Sequence, residues 1–138
     1  MVSNKAVFPY VVRRQHTDDT YMPYVLVSLQ FQIYSISAHA LIDSGSSVNV
    51  IPFSMGLQLG ADWNKQKTDL ELGGNLANVK AKGLLLTVSI GQLAPTRLAF
   101  AWAQTDQPPL IFGQMNFFQE FDVCFSRAEL QFELTRRS

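Results

Sequence analysis

Short apolar runs separated by polar or turn-forming residues recur along the chain, and this pattern predicts a protein made mostly of β-strands. The clearest case is residues 130–134, where Leu130, Phe132 and Leu134 alternate with Gln131 and Glu133 as in a half-buried strand. Runs rich in β-branched and aromatic residues predict the remaining strands, at residues 7–14, 24–29, 31–37, 37–43, 65–72, 84–90, 98–103, 110–112 and 123–125.

Two short helices and several turns are predicted between these strands. Pro52 suits the first turn of a helix, which predicts one over residues 53–59, and apolar residues with helical spacing predict another over residues 115–121. Gly73-Gly74, between two strand-like arms, predicts a hairpin with a mobile tip. The polar residues 15–20 predict a turn. Such a set of elements is typical of a small barrel or a folded-over sheet.

Residues 40–51 contain the candidate chemistry. Apolar residues run directly into Asp43, Ser44 and Gly45 follow, and the chain then becomes apolar again. Asp43 is therefore predicted at the end of a buried strand, where a lone carboxylate is costly unless it has hydrogen-bond partners or a function. Gly45 allows another group to approach the acid closely, and Ser44 supplies a neighbouring hydroxyl. The alternative is a structural turn in which the aspartate side chain caps its own loop.

Length, composition and charge exclude several classes of function. A chain of 138 residues, 47% hydrophobic and 16% charged, predicts a single folded domain over residues 1–138. Eleven basic residues balance eleven acidic ones, so no nucleic-acid partner is expected. No apolar stretch has the length of a membrane helix or signal peptide, so no membrane partner is expected. With Cys124 as the only cysteine, the expected location is cytoplasmic.

Metal, cofactor and serine-nucleophile chemistry are not indicated. Two histidines and one cysteine provide no zinc-binding spacing, so neither a metal nor a cofactor is expected. The sequence contains no Gly-x-Ser-x-Gly motif of serine hydrolases. His39 and Asp43 are four residues apart on one strand, about 13 Å at about 3.3 Å per residue, which is too far for a triad.

The order of three motifs resembles the retropepsin-like family of aspartic proteases, the single-domain relatives of retroviral protease. Asp43-Ser44-Gly45 comes about a third of the way along the chain, the Gly73-Gly74 hairpin follows, and Leu110-Ile111-Phe112-Gly113 precedes a predicted helix. The resemblance covers roughly residues 24–134. It implies a small, closed-barrel-like acid protease fold in which the hairpin is a flap over the substrate.

The resemblance also implies a mechanism and a set of site residues. Asp43, Ser44 and Gly45 would be catalytic, with the Ser44 hydroxyl bonded to the carboxylate, while Gly73, Gly74 and Leu76 would contact a peptide substrate. Aspartic proteases use two carboxylates that share one proton: the ionised one activates a water, and the protonated one donates to the scissile carbonyl.

A two-carboxylate mechanism predicts a homodimer. No other acid of the chain lies in an apolar-Asp-Ser/Thr-Gly context, so a working pair requires two copies of Asp43 across a two-fold axis. Residues 8–12 and 130–134 are the candidate contact strands. The predicted function is therefore a homodimeric aspartic endopeptidase with a preference for apolar side chains.

Two departures from the retroviral pattern leave a second hypothesis open. Ser47 and Gln114 stand where retroviral members usually have an aspartate and an arginine that form an ion pair. The loss of both charges together avoids an unpaired buried charge, and this indicates a cellular or bacterial type of relative. The hairpin is also poorer in glycine than retroviral flaps. The alternative function is a catalytically inactive dimerisation or peptide-binding module with the same fold.

Overall fold

A computed structural model describes the backbone of residues 3–15 and 18–137 and the side chains of residues 3–12 and 20–137. The strands are β1 Lys5–Pro9, β2 Val11–Gln15, β3 Asp18–Met22, β4 Tyr24–Phe31, β5 Tyr34–Ile42, β6 Asn49–Ile51, β7 Asp69–Leu70, β8 Ala81–Ser89, β9 Thr96–Ala103, β10 Ile111–Phe112, β11 Phe121–Ser126 and β12 Gln131–Arg136. The helices are α1 Phe53–Gln58 and α2 Phe117–Glu120, and single 3₁₀ turns occupy Trp63–Lys65, Gly74–Leu76 and Arg127–Glu129.

Six strands form a closed barrel. Their order is β4-β5-β10-β6-β9-β8, and β8 pairs back onto β4, with Leu29 opposite Val88, to close the ring. The short strand β7 adds to the other end of the same β8 edge. Inward positions alternate with outward ones, so that Leu84, Leu86 and Val88 of β8 are buried. A mostly β, closed-barrel fold with two short helices confirms the predicted fold class.

A separate three-stranded sheet joins the two ends of the chain. It has the order β1-β12-β11, and both pairings are antiparallel. Phe132 of β12 is buried and stacks on Phe8 of β1, with ring centroids 5.7 Å apart, so this sheet packs on the barrel core. Because β12 is hydrogen-bonded on both edges within its own chain, residues 130–134 are not free to pair with a second chain through their backbone. Whether residues 8–12 and 130–134 contact a second chain stays a prediction.

Several predicted strand and helix boundaries differ from the observed ones, because pairing with distant strands overrides the local sequence pattern. The predicted strand 65–72 is reduced to β7, the part that lies opposite Lys82 and Ala81 of β8. The helix predicted over 115–121 is shorter, since Phe121 already pairs with Arg136. The predicted strand 7–14 is broken after Pro9, and both ends of the predicted turn 15–20 lie in β2 and β3. Residues 16 and 17, at its centre, lie outside the described residues.

The glycine-containing hairpin connects β7 to β8 as predicted, although its tip is less regular than a tight turn. Residues 71–80 form the loop, and Gly74–Leu76 adopt a 3₁₀ turn. Gly74 has φ +59°, in the left-handed region that favours glycine.

None of the helices in the described residues is both long and apolar enough to cross a bilayer. The same part of the chain contains no cluster of three or more histidine, cysteine, aspartate or glutamate side chains that could hold a metal ion.

Candidate active site

Asp43 lies where two neighbouring barrel strands end. β5 and β10 run parallel, with Ile42 opposite Phe112, so the carboxyl ends of both strands meet at one side of the barrel. The Asp43 N–H donates to the Phe112 carbonyl oxygen at 3.0 Å, which extends this ladder by one residue. The Asp43 residue is half-buried. Its position at the end of a buried strand is the position that the sequence predicts.

The loop after Asp43 holds one oxygen of its carboxylate. The Gly45 N–H donates to Asp43 Oδ1 at 2.9 Å, and the Ser46 N–H donates to the Asp43 carbonyl oxygen at 3.1 Å. A Cβ atom at Gly45 would lie 3.2 Å from Oδ1, so a larger residue would crowd the acid. Within the described part of the chain Asp43 Oδ2 receives no hydrogen bond. The carboxylate is thus oriented through one oxygen, and the other is available.

A cavity of about 310 Å³ brings the Asp43 loop together with the hairpin. Asp43 and Gly45 line it on one side, and Gly73, Gly74 and Leu76 line it from the hairpin; its other lining residues are Ser46, Ser47, Val48, Val50, Leu72 and Ile111. Five of the six predicted site residues therefore share one cavity. Ser44 is exposed and does not line it, and the bond to the carboxylate comes from the Gly45 N–H rather than from the Ser44 hydroxyl.

Gln114 supports the loop that follows Asp43 through two hydrogen bonds. Its side-chain Nε2 donates to the Ser44 carbonyl oxygen at 2.7 Å, and its backbone N–H donates to the Ser46 carbonyl oxygen at 2.8 Å. Gly113 packs so closely under the loop that a Cβ atom there would overlap the Val48 carbonyl oxygen. A neutral amide thus supports the loop at the position where retroviral members usually have the arginine of an ion pair. The Gln114 side chain bonds to the Ser44 backbone rather than to Ser47.

Asn49, which is buried, forms hydrogen bonds that connect β6 to β9 and to the segment around Gly113. Its side chain is fully buried, and Nδ2 donates to the Ala99 carbonyl oxygen at 3.0 Å and to Asn116 Oδ1 at 3.2 Å. Asn49 Oδ1 accepts from the Gly113 N–H at 2.8 Å. Burial of an amide is tolerated here because its hydrogen bonds are satisfied. An asparagine inside the apolar stretch 48–51 was the available sequence signal, and sequence reasoning missed it.

The sequence pattern also did not identify the individual apolar residues that line the cavity. Val48 and Val50, Leu72, and Ile111 come from three separate segments, and only the closed barrel places them around Asp43. Val48 also lines an adjoining apolar groove of about 430 Å³, which includes residues of β7, β8 and β9. The remaining lining residues of that groove are Gln66, Thr68, Leu70, Gly83, Leu84, Leu85, Ala99, Phe100, Ala101 and Met115.

The chemistry available within one chain is limited to one acid. Among the described residues lining the cavity, Asp43 alone has an ionisable side chain. One carboxyl group cannot serve at once as the base that activates a water and as the acid that donates a proton to a carbonyl oxygen. A single copy of this cavity therefore supplies one carboxyl group.

Comparisons with known proteins identify the fold. No protein-family model and no curated protein matches the sequence. Among solved structures, a retropepsin-like aspartic protease from Rickettsia conorii is 16% identical, with a TM-score of 0.59 over 96% of this chain and 94% of that one. EIAV protease, in complex with the inhibitor HBY-793, is 18% identical, with a TM-score of 0.56 over 71% of this chain and 86% of that one. The chain has the retropepsin-like fold.

Proposed function

We propose that this protein is an aspartic endopeptidase that acts as a homodimer and hydrolyses peptide bonds in extended substrates. The observation that supports this most directly is the placement of Asp43. Its carboxylate is oriented by the Gly45 N–H, lies at the carboxyl ends of β5 and β10, and shares a cavity with the hairpin loop. This arrangement occurs on a fold whose solved examples include aspartic proteases.

Two chains would complete the acid–base pair. With one Asp43 from each chain about 3 Å apart on a two-fold axis, like charges could not both ionise easily, so one carboxyl group would stay protonated. The ionised Asp43 would take a proton from a water held between the two groups as that water attacks the scissile carbonyl carbon. The protonated Asp43 would donate to the carbonyl oxygen. The Asp43 that took the proton from water would then give it to the amide nitrogen as the carbon–nitrogen bond breaks, and the other Asp43 would regain its proton from a hydroxyl of the tetrahedral intermediate. The products are a carboxylic acid and an amine, and no covalent intermediate with the enzyme is required.

The residues beside Asp43 would keep this pair in position. Gly45 would orient the carboxylate through its N–H and, lacking a side chain, would leave room for the substrate backbone. Ser44 would act through its carbonyl oxygen, which Gln114 holds at 2.7 Å. This differs from the hydroxyl role implied by the resemblance.

The hairpin would close over the substrate as a flap. Gly73 and Gly74 are exposed, and a Cβ atom built at either position meets nothing within 4 Å, so the space beside the hairpin backbone is open. An extended peptide could pair with this backbone as an added strand. Leu76 is half-buried at the cavity wall and would contact a substrate side chain.

The cavity walls favour apolar substrate side chains. Val48, Val50, Leu72 and Ile111 surround the carboxylate, and the adjoining groove continues this apolar surface past Val48. An extended peptide projects alternate side chains to opposite sides at about 3.3 Å per residue. Side chains two residues apart point to the same side, so one could enter the cavity and the other the adjoining groove.

Cleavage of a diverse peptide mixture tests the proposed function. The rate is expected to rise more steeply than linearly with protein concentration wherever dimers dissociate, because only a dimer has both carboxylates. Assays from pH ~4 to ~7 would cover the range in which such a pair can titrate. A folded, dimeric protein that cleaves no peptide would contradict the proposal and support the inactive peptide-binding module. A rate strictly linear in protein, at concentrations where sedimentation shows monomers, would contradict the shared site.

Gln114→Ala is expected to lower kcat by about 10- to 100-fold with little change in KM, since a shift of the carboxylate by about 1 Å can cost this much. The substitution removes the bond to the Ser44 carbonyl oxygen at an exposed position, so the free energy of unfolding should change little. Gln119→Ala is the matched control, because Gln119 is exposed on α2 and its side chain makes no hydrogen bond within the described residues. Equal activity of both variants would show that Gln114 does not position the loop.

A further inference from the structure

One charged side chain at the base of the hairpin takes no part in the chemistry proposed for the site. Lys82 of β8 is half-buried, and its Nζ donates to the Trp63 carbonyl oxygen at 3.0 Å. The same Nζ lies 4.8 Å from the centroid of the Trp63 ring, within the range of a cation–π contact. Lys82 thus binds both the backbone and the indole ring of one residue.

The carboxylate that lies opposite Lys82 in the sheet is not its partner. Asp69 of β7 faces Lys82 in the register, where opposite charges attract across two strands. Asp69 is exposed, however, and Lys82 forms no ion pair with any residue that the structure describes. Lys82 instead lies on the same face of β8 as the buried Leu84, and its neighbour in β9 is Trp102. The inner face of the barrel, rather than a charge, thus directs the ammonium group toward Trp63.

The Trp63 end of this contact is fixed to the barrel core. The ring of Trp63 packs edge-on against Phe53 and Trp102, with centroid distances of 5.8 Å and 5.2 Å, and we call these three residues the aromatic cluster. Trp102 is fully buried, and its indole N–H donates to the Phe53 carbonyl oxygen at 3.1 Å. Helix α1 packs directly on the cluster, since a Cβ atom at Gly56 would overlap the Trp102 ring. The cluster therefore provides a rigid anchor.

The contact closes the base of the hairpin. Trp63 and Lys82 are 19 positions apart in sequence, and β7 and the whole hairpin loop 71–80 lie between them. The Gly83 N–H donates to the Thr68 carbonyl oxygen at 2.8 Å and ties the same two arms together. A contact between the two ends of a loop restricts the loop, because its ends can no longer separate.

We propose that Lys82 is a positioning residue that locks the base of the hairpin onto the aromatic cluster. With the base locked, the hairpin moves only beyond β7 and β8, within residues 71–80. The inference rests on the proposed function, in which this hairpin closes over the substrate, and it names the residue that governs that closure.

A locked base keeps the hairpin loop at the candidate site. Leu72, Gly73 and Gly74 line the same cavity as Asp43, and their distance from the carboxylate depends on where the hairpin base lies. A protein whose binding-competent state is only fractionally populated binds its ligand more weakly by that fraction. If release of the base leaves about one molecule in ten closed, KM rises about 10-fold. The substrate-bound form is still closed, so kcat changes little.

Lys82→Met tests the lock, because it keeps an unbranched stem and removes the ammonium group. The amide hydrogen of Gly83, which donates to Thr68 across the base, is expected to exchange with solvent at least about 10-fold faster, since the two arms separate more often. The amide hydrogen of Asp43, which donates to Phe112 in the barrel, is the internal reference and should exchange at the wild-type rate. NMR measures both amides in one sample. Equal acceleration of both would show that Lys82 only supports the global fold and would overturn the lock.

Two further variants separate the lock from a general effect of charge. Lys80→Met is the matched control, because Lys80 is exposed on the same hairpin and its side chain forms no ion pair or hydrogen bond within the described residues. Lys82→Arg is the conservative variant, since a guanidinium group keeps both the positive charge and N–H donors. Gly83 exchange in both variants should stay within about 3-fold of the wild type. An unchanged Gly83 exchange rate in folded Lys82→Met would overturn the proposal.

Peptide cleavage shows whether the lock acts on substrate binding. Lys82→Met is expected to raise KM by about 10-fold and to leave kcat within about 2-fold, whereas a disturbance of the Asp43 loop would lower kcat. Faster Gly83 exchange with an unchanged KM would overturn the role in substrate binding. Faster Gly83 exchange in a protein whose wild type cleaves no peptide would overturn the proposed function alone and leave the lock established.

Discussion

Asp43→Asn is expected to lower kcat/KM for peptide cleavage by about 10⁴-fold or more, with the fold and the dimer unchanged. General acid–base catalysis contributes roughly 10²–10⁴-fold for each group, and in a homodimer one substitution removes both the base and the acid. Asparagine keeps the side-chain oxygen that accepts from the Gly45 N–H at 2.9 Å, so the loop should retain its conformation. Peptide cleavage, thermal unfolding and sedimentation, measured on the same preparation, check these expectations.

Asp62→Asn is a closely matched control. Asp62 Oδ1 accepts from the Asn64 N–H at 3.0 Å, the same i to i+2 contact that Asp43 makes with Gly45. The two variants therefore make the same chemical change in the same local geometry, but Asp62 lies outside the cavity. Asp62→Asn should retain full activity. Equal cleavage by the wild type and Asp43→Asn would mean that Asp43 only caps its turn and that the activity arises elsewhere.

Gly113→Ala is expected to reduce the free energy of unfolding by about 3 kcal/mol and to abolish most activity. A Cβ atom at this position would overlap the Val48 carbonyl oxygen and lie 2.7 Å from the Ser46 carbonyl oxygen. Both neighbours are backbone atoms of the Asp43 loop, so no side-chain rotation can relieve the contact, and overpacking of this kind typically costs 1–3 kcal/mol or more. Urea denaturation and peptide cleavage measure the two effects.

Gly83→Ala separates the steric effect from the general effect of replacing glycine. Gly83 lies in β8, and a Cβ atom there would meet the Thr68 side chain at 3.5 Å, an ordinary van der Waals contact. Its unfolding free energy should be unchanged or up to about 1 kcal/mol higher, since alanine restricts the unfolded chain. If Gly113→Ala were as stable as Gly83→Ala, the loop would not depend on this close packing.

Elements with a strong local period were the most predictable. The closing hairpin of β11 and β12, the long strands β8 and β9 and the helix after Pro52 are all present near their predicted positions. Predictions failed where a partner strand decided the outcome. Residues 65–72 have strand-like composition, but only Asp69 and Leu70 form a strand opposite β8.

In the candidate site, too, the features with local sequence signals were predicted and those that depend on distant contacts were not. Asp43 and Gly45 were placed correctly at a strand end because apolar flanks and a glycine are local signals, and Gly73-Gly74 was recognised as a hairpin for the same reason. Gln114 was noted only as the neutral residue at an arginine position, and its bond to the Ser44 carbonyl oxygen depends on a contact 70 positions away in sequence. The three bonds of Asn49 likewise join segments far apart in the chain.

The sequence by itself determined the alternating strand pattern, the single Asp-Ser-Gly motif at a strand end and, from that single motif, the requirement for a second copy if the chain is a protease. These features are set by residues that are close together in sequence, because backbone preferences and the alternation of apolar and polar side chains are local properties. Only the tertiary structure decided that β8 closes the barrel on β4, which apolar residues surround Asp43, and that β12 is enclosed while β11 is left as an edge. Those outcomes depend on which distant segments bury each other's apolar surface and satisfy each other's hydrogen bonds, and no local pattern specifies that choice.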